Sequence, residues 1–148
     1  MKPNDELLVG KLWESGLSGK AHLNQKGDLR HAHLWVRDEF KCVYCDEPLL
    51  VDFIRFFSSQ LDHLLPQATY PHLKEIEGNW VLACFPCNQL TRAFDPWKEL
   101  KGPETRPELS ELISNRGLLI EECRRYLQPR RKRWNDMHQR VIAVTTGG

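Results

Sequence analysis

Apolar and polar positions divide the chain into stretches of different character. Trp80-Val81-Leu82-Ala83 is a short continuous apolar run bounded by Asn79 and Cys84, the form expected of a strand buried on both faces. Upstream, Ser58 to His63 reads as a second short strand. Leu64 to Gly78, punctuated by Pro66 and Pro71, reads as the loop between them. Leu49 to Phe57 is another apolar run, whose period fits strand and helix equally. Beyond Cys84, Pro86 suits the first turn of a helix, where its missing N–H has no intrahelical partner. That helix is expected to continue from Asn88 to Phe94 until Asp95-Pro96 stops it. The predicted order is strand, loop, strand, helix.

The flanks carry weaker patterns. Gly10, Gly16, Gly19 and Gly27 interrupt residues 1 to about 30, which predicts an N-terminal arm with at most short helices. From Leu29 the text HAHLWVRDEF has room for a helical turn or two. After a link from Gly102-Pro103 to Pro107, the residues Leu109, Leu112, Ile113, Leu119, Ile120 and Leu127 supply the apolar face of a C-terminal helix. Gly117 is a point at which it could divide in two. The expected class is α+β, with an arm over 1–30, a central domain over 31–101 and a helical basic extension over 102–148.

Composition narrows this little: 148 residues, 41% hydrophobic and 28% charged, suit one globular domain. No apolar run approaches the ~20 residues that span a bilayer, and the opening MKPNDELLVGKL carries acids and a proline. The expectation is a cytoplasmic chain with no membrane association. The net charge of +1 does not announce a polyanionic partner, but its distribution is uneven. Arg124, Arg125, Arg130, Arg131, Lys132, Arg133 and Arg140 face the single acid Asp136 in a local basic tract that could meet phosphates. A solvated helix end is the plainer alternative for the same charges.

Chemistry enters with the cysteines. Four of the five form two Cys-x-x-Cys pairs, Cys42/Cys45 and Cys84/Cys87. Two such knuckles provide the ligand set of a closed tetrahedral structural zinc, which would staple the two ends of the segment between them. A redox role would ask for one pair at a helix start in a thioredoxin-like frame, and an interleaved eight-ligand finger fails on ligand count. Cys123, in an apolar helical stretch, is expected to be a small buried hydrophobe.

Within the staple stands Leu61-Asp62-His63-Leu64-Leu65-Pro66, then Asn79 opening a strand, then Cys84-x-x-Cys87-Asn88 opening a helix, all after Arg37-Asp38-x-x-x-Cys42-x-x-Cys45. From Arg37 to Asp95 this set resembles an HNH endonuclease of the four-cysteine zinc-binding type, with a ββα-metal finger and flanking helices. The resemblance implies a metal-dependent endonuclease that hydrolyses nucleic-acid phosphodiesters, most readily those of DNA. His63 would be the general base, Asp62 and Asn88 the ligands of a catalytic magnesium or manganese ion, and Asn79 the residue that braces the loop and orients the imidazole. The third letter of the pattern is Asn88 here in place of histidine.

The same residue types make sense chemically. Water needs a base near neutral pKa, and imidazole supplies one. The charge gathering on phosphate and leaving oxygen calls for a hard divalent cation, and such an ion prefers oxygen ligands like the Asp62 carboxylate and the Asn88 amide. Neighbouring strand residues point to opposite sides of the pleat, so Asp62 and His63 are expected at the end of the strand. Arg92, four residues after Asn88 and on the same helical face, is a candidate phosphate contact with Arg130, Arg131, Lys132 and Arg133. His22, His31, His33, His72 and His138 are expected to be surface or satisfied core residues, with His72 in the loop facing the site. The competing reading is a zinc-stapled module that binds nucleic acid without cutting it, and both readings leave open whether the chain works alone, as a dimer or beside a protein partner that supplies specificity.

Overall fold

The computed structural model describes residues 3–17 and 29–147. His22, Gly19 and Gly27 lie outside the described residues. Helix α1 runs over Pro3–Glu14, longer than the short helices expected of the arm. Gly10 costs a helix interior only about 1 kcal/mol, which Leu7, Leu8, Lys11 and Leu12 around it offset by being good helix formers. Helix α2, Leu29–Arg37, buries Ala32, Leu34 and Trp35 and packs against α1 and the sheet.

The sheet has two strands, β1 over Gln60–His63 and β2 over Trp80–Ala83, paired antiparallel with Asp62 opposite Val81 and His63 opposite Trp80. All four residues of β2 are buried, as its unbroken apolar run predicts. The connecting loop holds two single 3-10 turns, Pro71–Leu73 and Glu77–Asn79. The run before β1, ambiguous in sequence, resolves as helix. Its residues Phe53–Ser58 form α3, capped by the Asp52 carboxylate on the Arg55 N–H at 2.7 Å. Arg55 pairs with both Glu47 and Asp52. Phe56 packs against Trp35 at 5.7 Å between ring centroids, while Phe53, Ile54 and Phe57 stand exposed. Helix α4, Phe85–Thr91, follows β2 directly and packs against β1.

Helix α4 ends at Thr91, short of the expected Phe94, and Asp95-Pro96 starts the next helix instead of stopping this one. The Asp95 carboxylate caps α5, Pro96–Lys101, by accepting from the Trp97 and Lys98 N–H groups. Glu108 and Glu111 then form a capping box at the start of α6, Leu109–Thr146. This single helix of 38 residues passes through both Gly117 and Pro129 without dividing. Its buried stripe is Leu112, Leu119, Cys123 and Leu127, and Ile113, expected in that stripe, is exposed one step round the helix. The stripe locks α6 onto α4 and α5, so the core is shared between the hairpin, α2 and the first half of α6. Among the described residues no helix is long and apolar enough to cross a membrane.

Candidate functional site

The four cysteines arrive from the two ends of the central segment. Cys42 and Cys45 lie in a tight turn held by Cys42 N–H to Glu47 O and Asp46 N–H to Cys42 O, each 2.9 Å. Asp46 takes a φ of 61°, a left-handed conformation that aspartate accepts more easily than most residues. Cys84 occupies the position just before α4, without a side-chain capping bond, and Cys87 sits in its first turn. The four sulfurs lie within 4.8 Å of one another, with Cys45 Sγ and Cys84 Sγ 3.7 Å apart. A tetrahedron with metal–sulfur bonds of about 2.3 Å has edges of about 3.8 Å, so the set fits a metal such as zinc.

Asp62 and His63 end β1, as the pleat requires. The Asp62 carboxylate is half-buried and turned toward the knuckle and α4. Its Oδ2 accepts from the Tyr44 hydroxyl at 2.8 Å and the Thr91 hydroxyl at 3.3 Å, and its Oδ1 from the His63 N–H at 2.8 Å. Burial raises its pKa above 3.8, opposed by these three hydrogen bonds and by the charge of the nearby imidazole. Tyr44 is itself buried, and burial together with the Asp62 charge holds its hydroxyl well above 10, so it stays a neutral donor. The single Thr91 hydroxyl proton is shared with Cys87 O at 3.0 Å and Asn88 O at 3.3 Å within α4, and its contact with Asp62 is what ties the end of β1 to the helix that carries Asn88. Neither Tyr44 nor Thr91 stands out in the sequence. Their only signals there are a tyrosine between two knuckle cysteines and a threonine one turn beyond Asn88.

The imidazole of His63 points the other way, into the loop, where Nε2 lies 3.0 Å from the Lys74 carbonyl oxygen. A carbonyl only accepts, so this contact places the ring proton on Nε2 and leaves Nδ1 as the acceptor. The Trp80 indole N–H donates to the same oxygen at 2.8 Å, which anchors the carbonyl in turn.

Asn79 is fully buried and holds the loop together. Its Oδ1 accepts from Leu65 N–H at 2.7 Å, while Nδ2 donates to Leu65 O at 3.0 Å and Leu73 O at 3.2 Å. Leu73 precedes the Lys74 whose carbonyl orients His63, so the amide acts on the imidazole through two adjacent residues. Behind the sheet, Asp38 receives two hydrogen bonds from Arg37, at 2.8 and 3.0 Å, and one from Leu82 N–H at 2.8 Å. Arg37 and Arg116 both donate to Trp80 O, at 2.6 and 3.3 Å. The Arg-Asp lead-in is thus a brace for β2, and Arg116, absent from the expected site, completes it from α6.

The basic tract divides into residues with different partners. Arg131 Nη1 lies 3.2 Å from Cys87 Sγ and 3.6 Å from Cys84 Sγ. Arg130 stacks on the Tyr126 ring at 3.5 Å and Lys132 pairs with Asp136 at 2.6 Å. Arg133 and Arg92 are exposed. Of the other histidines, His72 meets Pro107 O at 3.0 Å, His33 lies 3.7 Å from Glu77 and His31 packs on Trp80. Cys123 is buried, and burial pushes its thiol up. Compared with known proteins, the chain matches no family model and no curated protein.

Proposed function

We propose that the chain is a metal-dependent endonuclease of the HNH kind, in which β1, β2 and α4 form a ββα-metal finger that hydrolyses nucleic-acid phosphodiesters. The observation that carries this reading is the arrangement around the end of β1. The Asp62 carboxylate, held by the Tyr44 and Thr91 hydroxyls, faces α4, the helix that carries Asn88, and the next residue, His63, has its imidazole held on the loop by the Lys74 carbonyl. The four-cysteine cluster fixes the base of the same unit from outside.

In this reading His63 Nδ1 accepts the proton of the attacking water, and the Lys74 carbonyl keeps that nitrogen in the unprotonated tautomer. Asp62 and the Asn88 amide would hold a magnesium or manganese ion, which supplies charge stabilisation to phosphate and leaving oxygen. A carboxylate and an amide oxygen are ligands of the kind such an ion takes. Asp62 Oδ1 carries a single hydrogen bond, and the Asn88 side chain makes none among the described residues. Asn79 positions the base without touching substrate. The substrate is nucleic acid, with DNA as the first to test, and Arg92, Lys132 and Arg133 are the outward cations that would meet its phosphates.

Supercoiled plasmid incubated with the protein should be nicked and linearised in magnesium or manganese and left intact in EDTA. His63→Ala should lower the rate by ~10²- to 10⁴-fold, the usual worth of a general base, with zinc content and circular dichroism unchanged. Binding without cleavage by a zinc-loaded wild type under all metals would overturn the enzyme reading in favour of a binding module.

A further inference from the structure

We infer that Arg131 is an outer-sphere component of the cysteine metal site, and that with Arg124 it makes docking of the basic segment of α6 depend on the bound metal. A four-thiolate site around a divalent cation carries a formal charge of −2, and most of this one is buried: Cys42 and Cys87 are 0% exposed and Cys84 is 6% exposed. Charge of that size in a low-dielectric setting calls for compensation nearby. The two arginines provide it from one helix face. They are seven residues apart, two turns of α-helix, and so lie on the same side about 10 Å from each other.

Each meets a different knuckle. Arg131 Nη1 is within hydrogen-bond reach of both sulfurs of the second pair, 3.2 Å from Cys87 and 3.6 Å from Cys84. Arg124 donates through Nε and Nη2 to Val43 O, at 2.9 and 2.7 Å, inside the turn that carries Cys42 and Cys45, and reaches the Asp46 carboxylate at 3.3 Å. One guanidinium therefore neutralises sulfur charge, and the other holds the backbone that presents the remaining two ligands.

Past Leu127 the helix buries no further residue. Among the described residues, the Arg131 contacts are the only hydrogen bonds from that part of the helix to the rest of the protein, and they adjoin the segment that carries Lys132 and Arg133. N–H···S bonds are strong to metal-held thiolates and weak to neutral thiols, so removing the metal weakens the clamp. This inference is independent of whether the protein cleaves nucleic acid.

The experiment uses the full chain, with zinc affinity measured by competition with a chromophoric chelator. Arg131→Met should weaken zinc binding by about 10- to 100-fold, the usual range for removal of an outer-sphere partner, and Arg133→Met should leave it unchanged. In the cobalt-substituted protein, Arg131→Met should shift the sulfur-to-cobalt charge-transfer bands, and Arg131→Lys should fall between it and wild type. Hydrogen exchange over residues 128–135 should quicken on chelation in the wild type and be already fast in zinc-loaded Arg131→Met. Should Arg131→Met fold poorly, the Arg131→Lys cobalt spectrum and the wild-type exchange comparison decide. Wild-type zinc affinity in Arg131→Met, or exchange over 128–135 indifferent to chelation, would overturn the proposal.

Discussion

Asp62 shows how one side chain can be held in a form its surroundings make costly. Its folded pKa is raised above 3.8 by burial, so the folded protein keeps this proton to a higher pH than the unfolded chain does. Stability then falls as pH rises through the interval between the two values, because the native state binds more protons there. Subtracting the unfolding free energy of Asp62→Ala from that of the wild type should isolate this dependence, and the difference should decrease with rising pH. Tyr44→Phe removes a hydrogen bond that favours the carboxylate, so it should move the decrease to still higher pH while retaining zinc. A difference that grows with pH would show that the hydrogen bonds outweigh burial. The arrangement suits a ligand: an anion disfavoured by its burial gains from a cation placed against it.

At the level of elements, β1 and β2 are too short to define their own connection, and Asn79 does so instead. Asn79→Ala would leave the Leu65 N–H and carbonyl without the side-chain partner they share, and the Leu73 carbonyl with the Ile76 N–H alone. Each such group costs about 1–3 kcal/mol, so destabilisation by several kcal/mol and a loosened loop are expected. Cleavage should fall with it, through Lys74 and the aim of His63. Gly117 makes the opposite case. A Cβ there would meet nothing within 4 Å, and the residue lies exposed within α6. Gly117→Ala should therefore stabilise the protein by about 0.5–1 kcal/mol, raising the melting temperature by a few degrees with no change in zinc content. Thermal unfolding of the two variants side by side checks both signs.

For the whole molecule, the net charge of +1 hides a division of labour among its cations. Arg37 and Arg116 brace β2, Arg124 bonds the turn that carries Cys42 and Cys45, Arg131 meets the sulfurs of Cys84 and Cys87, and Arg92, Lys132 and Arg133 are exposed. Of these seven, the last three are the exposed ones and so the ones that would release counterions from a nucleic acid. Neutralising Lys132 and Arg133 together should reduce the slope of log K against log salt, at unchanged zinc content. The expected reduction on duplex DNA is roughly 0.9 for each phosphate that the two side chains neutralise in the wild type. An unaltered slope would return both residues to the solvated surface.

What the chain's text determined by itself was local. The two knuckles, β2, the start of α4 at Pro86, and the placing of Asp62 and His63 at a strand end all follow from spacings of a few residues. Each depends on backbone geometry that neighbours impose on one another. Tertiary structure alone decided the rest. Whether Leu49 to Phe57 became strand or helix, and which of its sides faced outward, depended on Trp35 and Glu47 as partners. The continuity of α6 through Gly117 goes with the packing of Leu112 and Leu119 on either side of it, which propensity does not report. Arg131 reads in sequence like its neighbours Arg130, Lys132 and Arg133. It differs from them because the sulfurs that hold it lie 44 and 47 positions away, and no local pattern records a partner at that distance.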